Sequence, residues 1–182
     1  MRPKSADESD LNQRVAFPLI AIMSDSHDNL PNLKKSLAWC KKHQVKKIIF
    51  CGDVTTASTL SCLSVNFRGE IFLIKGNADL FSDKQATALP NIRFLGEIGI
   101  IDLEGIRIGL CHEPRKIKRT ISLSPTPLRW IFYGHTHTPW LEKSGSTTLI
   151  NPGNLAGIFH QASFAVMDME NSKLDLKILA DL

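Results

Sequence analysis

Apolar residues recur along this chain in short runs, and many of those runs end in polar, chemically capable groups. Residues 15–23 are almost continuously apolar, as a strand covered on both faces would be. Pro18 sits near the start of that run, where a missing donor is tolerable. The run breaks into Ser24-Asp25-Ser26-His27-Asp28-Asn29. Leu30, Leu33, Leu37 and Trp39 then set a helical stripe with lysines opposite, and Pro31 lies in the first turn, where it fits. Residues 47–51 read as a second strand ending at Gly52-Asp53, and 55–67 as a short helix. Residues 70–75 read as a third strand ending at Gly76-Asn77-Ala78-Asp79. Three strand–helix units thus place polar residues just past a strand's carboxyl end, where open α/β sheets put their sites.

The second half changes rhythm. Residues 92–94, 99–103 and 106–111 are strand-like, with Glu104-Gly105 as a tight turn and His112 closing the last of them. A basic segment, 115–119, follows Pro114 and starts a short helix; 124–127 is a loop. The apolar residues 130–133 enter Gly134-His135-Thr136-His137. Residues 140–143 and 147–150 form a hairpin leading to Asn151-Pro152-Gly153-Asn154, and 163–169 and 174–179 flank a turn. A βαβαβ pattern followed by mostly β predicts two packed sheets with helices outside.

Composition narrows the function classes. The length of 182 residues suits one domain, expected over 15–182, with the polar, aperiodic residues 1–14 as a loose extension. A hydrophobic fraction of 43% and a charged fraction of 22% are those of a soluble globular protein. No apolar leader and no bilayer-length run occurs, so a cytoplasmic protein without a membrane partner is expected. The net charge of +4 argues against a dedicated polyanion surface. Lys34, Lys35, Lys41, Lys42, Lys46 and Lys47 lack interleaved aromatics and read as a solvated face, which makes nucleic acid the lesser reading. Cys40, Cys51, Cys62 and Cys111 lack the spacing of a zinc knuckle or redox pair and suit reduced thiols.

Five strands end in candidate ligands: Asp25 and His27; Asp53; Asn77; His112; His135 and His137. In extended backbone, residues two apart point the same way, so His135 and His137 are expected to reach one locus. Seven such groups exceed the needs of one metal. Two metals about 3.5–4 Å apart, bridged by a carboxylate, can use them and would acidify a bridging water and attract phosphate oxygens. Carboxylate and imidazole without thiolate favour manganese, iron, cobalt, nickel or zinc. Singly, each group has a plainer reading: Asp25 and Asp28 as helix caps, Asn77 as a turn residue, His112 as a structural histidine. Their joint order favours ligands. His43 and His160 read as surface residues, and Asn151-Pro152-Gly153 as a turn packed beside the site.

Asp-x-His, Gly-Asp, Gly-Asn, a lone histidine after a strand and Gly-His-x-His, in this order, resemble the calcineurin-like metallophosphoesterases. Ser24 to Pro31, Gly76-Asn77-Ala78-Asp79 and Asn151-Pro152-Gly153 are most similar to the small bacterial and archaeal phosphodiesterase branch. The resemblance runs from about Leu19 to the C-terminus. It implies an α/β fold of four layers (α+β), a two-sheet β-sandwich flanked by helices. It implies a phosphoric ester hydrolase, a phosphodiesterase cleaving a small phosphodiester with a hydroxide bridging two divalent metals, manganese favoured over nickel, zinc, iron or cobalt. Asp25, His27 and His137 would hold the first metal and Asn77, His112 and His135 the second, with Asp53 between; Asn77, His112 and Asp79 would carry catalytic roles.

Two departures stand out. Larger members have a histidine where this chain has Ala78, so the role of protonating the leaving group is empty, and Asp79 is expected to orient a ligating histidine. Glu113 stands where the branch commonly has glycine, and an acid there is expected to disfavour highly charged phosphomonoesters. The competing readings are a phosphomonoesterase or nucleotidase, and a non-catalytic scaffold like the retromer subunit of this fold. A homo-oligomer is left open.

Overall fold

The first strand, β1 (Leu19–Met23), alternates its side chains across a sheet: Ile20 and Ile22 face one apolar slab, Ala21 and Met23 another. That double burial is what its unbroken apolar sequence anticipates. The computed structural model describes residues 18–182; the expected extension 1–14 and the strand start at 15–17 lie outside the described residues.

Parallel strands joined by crossover connections build one side of the first sheet. β1 pairs in parallel with β2 (Lys47–Phe50), β2 with β3 (Glu70–Leu73) and β3 with β4 (Ile92–Phe94). The connections carry α1 (Leu30–Lys42), α2 (Ala57–Asn66) and α3 (Asp83–Thr87). Antiparallel to β1 lies β10 (Ser163–Asp168), and beyond it β11 (Lys173–Ile178), giving the order β11-β10-β1-β2-β3-β4. The second sheet contains β5 (Ile98–Leu103), β6 (Ile106–Cys111), β7 (Trp130–Phe132), β8 (Trp140–Ser144) and β9 (Thr147–Asn151), in the order β5-β6-β7-β9-β8. Within it β6, β7 and β9 run parallel.

The layers follow from three apolar clusters. Ile20, Ile22, Ile49, Phe72, Ile108, Leu110 and Phe132 fill the space between the sheets. Ala21, Met23, Phe50 and Leu73 pack against Leu33, Leu37 and Leu60 of the helices on the outer face of the first sheet. On the far side, Ile131 and Cys111 pack with Ile117 of α4 (Ile117–Leu123). The result is helix–sheet–sheet–helix, the four-layer α/β sandwich expected. Truncating a fully buried ring such as Phe72 would cost about 3–5 kcal/mol.

Two elements differ from expectation. α3 is absent from the sequence reading, although Ser82 and Gln85 form a capping box that marks its start. The basic segment begins as a 3-10 turn, Pro114–Lys116, before α4. Among the described residues no helix is long and apolar enough to cross a membrane.

Candidate metal centre

The carboxyl ends of β1, β2, β3, β6 and β7 meet at one rim, and the loops leaving them are tied to one another. Asp25 N–H donates to Gly52 O at 3.0 Å and His27 N–H to Asp53 O at 3.1 Å, which joins the first loop to the second. Ala78 N–H donates to Asp53 Oδ1 at 2.8 Å, joining the second to the third. His135 N–H donates to Asp25 Oδ2 at 3.0 Å, and Gly134 N–H to His112 O at 3.0 Å. The buried Asn151 amide donates to Gly134 O at 2.9 Å and Thr136 Oγ1 at 3.0 Å, fixing the histidine loop from behind. The sequence set candidate ligands at the ends of five strands converging on one sheet edge; the structure draws those strands from the adjoining edges of two sheets.

Backbone strain concentrates here. Asp25, His27, Asp53, His135 and His137 all have positive φ, between 42° and 70°. Left-handed backbone at residues other than glycine costs of order 1 kcal/mol or more each, and such residues cluster at functional sites. The same fact corrects one expectation. His135 and His137 are not in extended backbone, and their rings join different members of the cluster. The His137 ring joins Asp25 and His27, whereas the His135 ring lies edge-on to His112 with centroids 5.2 Å apart.

The side chains converge as two overlapping groups, Asp25 with His27 and His137, and Asp25 with Asp53 and His112. Asp25 Oδ1 lies 3.4 Å from His137 Nε2 and 3.8 Å from His27 Nε2. Asp53 Oδ2 lies 3.6 Å from His27 Nε2 and 3.2 Å from His112 Nε2. Asn77 Oδ1 is 3.0 Å from His112 Nε2, and the two imidazoles His27 and His137 approach to 3.1 Å at Nε2. All seven residues singled out in the sequence therefore lie together.

Charge in this cluster is arranged for a cation. Burial alone would raise the Asp25 carboxyl, yet the histidines 137, 27 and 112 around it hold it well below the usual carboxylate range. Asp25 in turn raises the His27 imidazole against its own burial. Burial would depress His112, but Asp53 and Asp25 outweigh it and the ring is raised. His112 Nδ1–H donates to Cys51 O at 2.7 Å, so Nε2 turns its lone pair toward the oxygens of Asp53 and Asn77. Acceptor facing acceptor is reconciled only by a cation between them, a second proton or a metal ion. Two glycines leave the room. A Cβ at Gly134 would stand 1.9 Å from Ser24 Oγ and 2.6 Å from Asp25 Oδ2, and one at Gly76 2.1 Å from Asp53 Oδ1. The oxygen and imidazole donor set fits borderline divalent metals.

Other residues settle differently from expectation. Asp79 does not orient a histidine: its carboxylate accepts the backbone N–H groups of Thr55, Gly76 and Asp53. α1 is capped by Asn29, while Asp28 bonds Thr56 and Thr59 at the start of α2, so neither Asp25 nor Asp28 caps the helix after it. The Glu113 carboxylate is bonded to Arg115 at 2.6 Å and Lys116 at 3.1 Å, and Lys116 also reaches Glu97. Two acids and two bases cancel, so Glu113 adds no uncompensated negative charge of the kind expected to repel phosphomonoesters. His43 is exposed and stacks on Trp39; His160 is exposed and bonds Thr138. Asn154, buried and bonded to His137 O at 3.0 Å, was named in the sequence only as the end of a turn and given no place at the site, because its partner is remote in sequence. A concavity lined by Arg68, Glu70, Asn91 and Arg93 lies at the amino ends of the strands, opposite this chemistry.

The calcineurin-like phosphoesterase superfamily domain matches residues 19–172, nearly all of the described chain. The chain belongs to that superfamily. Phosphoesterase relatives include the phosphodiesterase MJ0936 of Methanocaldococcus jannaschii, 26% identical over 141 residues that cover 76% of this chain and 84% of the relative. Among solved structures, an archaeal phosphodiesterase superposes with a TM-score of 0.79 at 22% identity, over 88% of this chain and 99% of that one. Vps29 complexed with zinc, from Entamoeba histolytica, superposes with a TM-score of 0.59 at 16% identity over 88% and 99%. These likenesses establish the phosphoesterase fold, and the superfamily's enzyme class is the one expected, a phosphoric ester hydrolase.

Proposed function

We propose that this phosphoesterase is a metal-dependent phosphodiesterase that hydrolyses a small phosphodiester. Asp25, His27 and His137 would hold one divalent transition metal and Asn77, His112 and His135 a second, with manganese favoured over nickel, zinc, iron or cobalt. The observation that carries the reading is the position of Asp53 Oδ2, within reach of both His27 Nε2 at 3.6 Å and His112 Nε2 at 3.2 Å, as a shared ligand requires. A bound pair of divalent cations supplies positive charge that draws in phosphate oxygens and makes water acidic enough to serve as a nucleophile.

The chain's own residues do the rest. Cys51 O fixes the His112 tautomer, so Nε2 faces the centre without a proton of its own. With Oδ1 turned to His112, the two N–H donors of the Asn77 amide, which bond to nothing among the described residues, would steady a phosphate oxygen as negative charge develops. Asp79 has its oxygens occupied by backbone N–H groups and acts as a brace for Asp53, in place of the catalytic role first expected of it. Ala78 offers no proton to a leaving group, which favours esters whose alcohol departs as a stable anion. We take residues 15–182 as one catalytic unit in a cytoplasmic protein, with buried thiols at Cys40, Cys51 and Cys111 in keeping.

A partner-binding scaffold is the second reading, favoured by the likeness to Vps29 and by Trp140 and Leu141 exposed on the edge strand β8. Hydrolysis of a chromogenic phosphodiester and its matching monoester separates the readings. Metal-stripped protein would be assayed with manganese, nickel, cobalt, zinc or magnesium restored, beside Asp53→Asn. Metal-dependent diester cleavage lost in the variant supports the enzyme. Folded protein that turns over neither ester with any metal rejects it, and preference for the monoester moves the assignment to a phosphomonoesterase.

A further inference from the structure

Residues 155–160 form a rim on the His137 side of the centre and are fastened at three places. At the root, Leu155 N–H donates to Ser24 O at 3.0 Å and Ala156 N–H to Asp25 O at 2.9 Å. The side-chain amides of Asn29 and Asn32 close the same joint by donating to Ala156 O and Leu155 O, at 2.9 and 2.7 Å. Midway, the buried Asn154 accepts the N–H groups of Gly157 at 2.6 Å and Ile158 at 3.0 Å while its amide donates to His137 O. At the far end, His160 Nε2 pairs with Thr138 Oγ1 at 3.1 Å. The rim is therefore mounted on the same backbone that carries Asp25 and His137.

What this mount displays is Phe159. Its residue is 89% exposed, its φ is +65°, and its ring centroid stands 5.9 Å from that of His137 with the planes tilted by 45°. A single exposed phenylalanine in relaxed backbone needs no explanation. This one carries two costs together: a bulky side chain in the left-handed region, and a phenyl ring denied the burial it would gain elsewhere. Strain of this kind persists only where surrounding bonds impose it, as they do here. An apolar face held beside a cluster of carboxylates and imidazoles matches a ligand of the same double character, anionic at one end and flat and aromatic at the other.

We propose that Phe159 is a substrate-recognition surface, on which a planar ring carried by the phosphoester stacks while its phosphate occupies the centre. This rests on the phosphoesterase reading of that centre and adds the substrate class: esters bearing an aryl group or a nucleoside base. The apolar side chain of Ile158, 41% exposed, borders the same surface. Stacking of a ring on a protein aromatic needs no hydrogen-bond match, so either kind of ring can use it.

Calorimetric binding to the manganese-loaded protein tests this with matched anions. Phenylphosphonate against methylphosphonate reads an aryl ring; adenosine monophosphate against ribose 5-phosphate reads a base. Wild type is expected to prefer the ring-bearing member of at least one pair by about tenfold. Phe159→Ala should bring that ratio to within about twofold of unity, and Phe159→Trp should keep it. The pair that responds names the source of the ring. No preference in wild type, or a preference indifferent to Phe159→Ala in protein of unchanged melting temperature, overturns the proposal. Because phosphonates report binding without turnover, a collapsing ratio in a protein that cleaves no diester would reject the phosphodiesterase and keep the role of Phe159. Diester cleavage with an indifferent ratio would do the reverse.

Discussion

The Asp79 carboxylate accepts the backbone N–H of Asp53 at 3.2 Å, so a side chain on the loop after β3 sets the position of the central carboxylate after β2. The same oxygen takes Gly76 N–H at 2.7 Å, and its partner oxygen takes Thr55 N–H at 2.7 Å. Asp79→Asn turns an amide N–H toward N–H groups that need an acceptor, costing about 1–3 kcal/mol of stability. Metal affinity, measured by titration, is expected to fall about 10- to 100-fold as Asp53 loses its brace. Had Asp79 delivered a proton to the substrate instead, kcat would drop with metal affinity intact.

Gly134 is a matter of space. A methyl group there would meet Ser24 Oγ and Asp25 Oδ2 well inside contact distance. Gly134→Ala should cost about 1–3 kcal/mol by overpacking, seen as a melting temperature lower by roughly 2–12 °C for a chain of this size. Bound metal, determined by atomic absorption, should fall with it because Asp25 must move.

Glu113 gives a pH signature. Arg115 first, and then Lys116, hold its carboxyl down at about 2 against an ordinary 4.5. A folded-state value below the unfolded one means the contribution is complete above about 4.5 and drains away as pH falls from there toward 2. Urea unfolding of wild type and Glu113→Gln should therefore differ near neutrality, with wild type the more stable. The gap should close between pH 4.5 and 2; a gap that widens on acidification would contradict the ion pairs.

The thiols should react unequally. Burial pushes Cys40 up to about 12 and Cys111 to about 11, and Cys51 is raised well above its usual value. Cys62 is half-buried, outside those apolar clusters. A disulfide reagent added to native protein should label Cys62 quickly and the other three only after denaturation.

Much of this molecule can be read from its sequence because its candidate ligands sit where strands stop. Asp25, Asp53, Asn77 and His112 each follow an apolar run, and one-dimensional order is enough to find them. The geometry of the last motif was misjudged because alternation assumes extended backbone, and Gly134 to His137 turns through left-handed residues instead. Asp79 was found but given the wrong partner, since hydrogen bonds to backbone N–H groups leave no trace in residue types. Phe159 was invisible as a candidate for the same reason: its place beside His137 depends on Asn154, whose bonds cross from one loop to another. α3 was missed although Ser82 and Gln85 announce it, because five residues carry too little periodicity to register.

The cross-links at the rim also govern how the two sheets are registered. The slab of Ile20, Phe72, Leu110 and Phe132 between them is held by burial, a driving force with no direction of its own. His112 Nδ1–H on Cys51 O and His135 N–H on Asp25 have direction, and each spans from the second sheet to the first. They work as dowel pins at one edge of the packed slab. The sandwich is thus pinned by directed bonds between its sheets at the edge where its chemistry would take place.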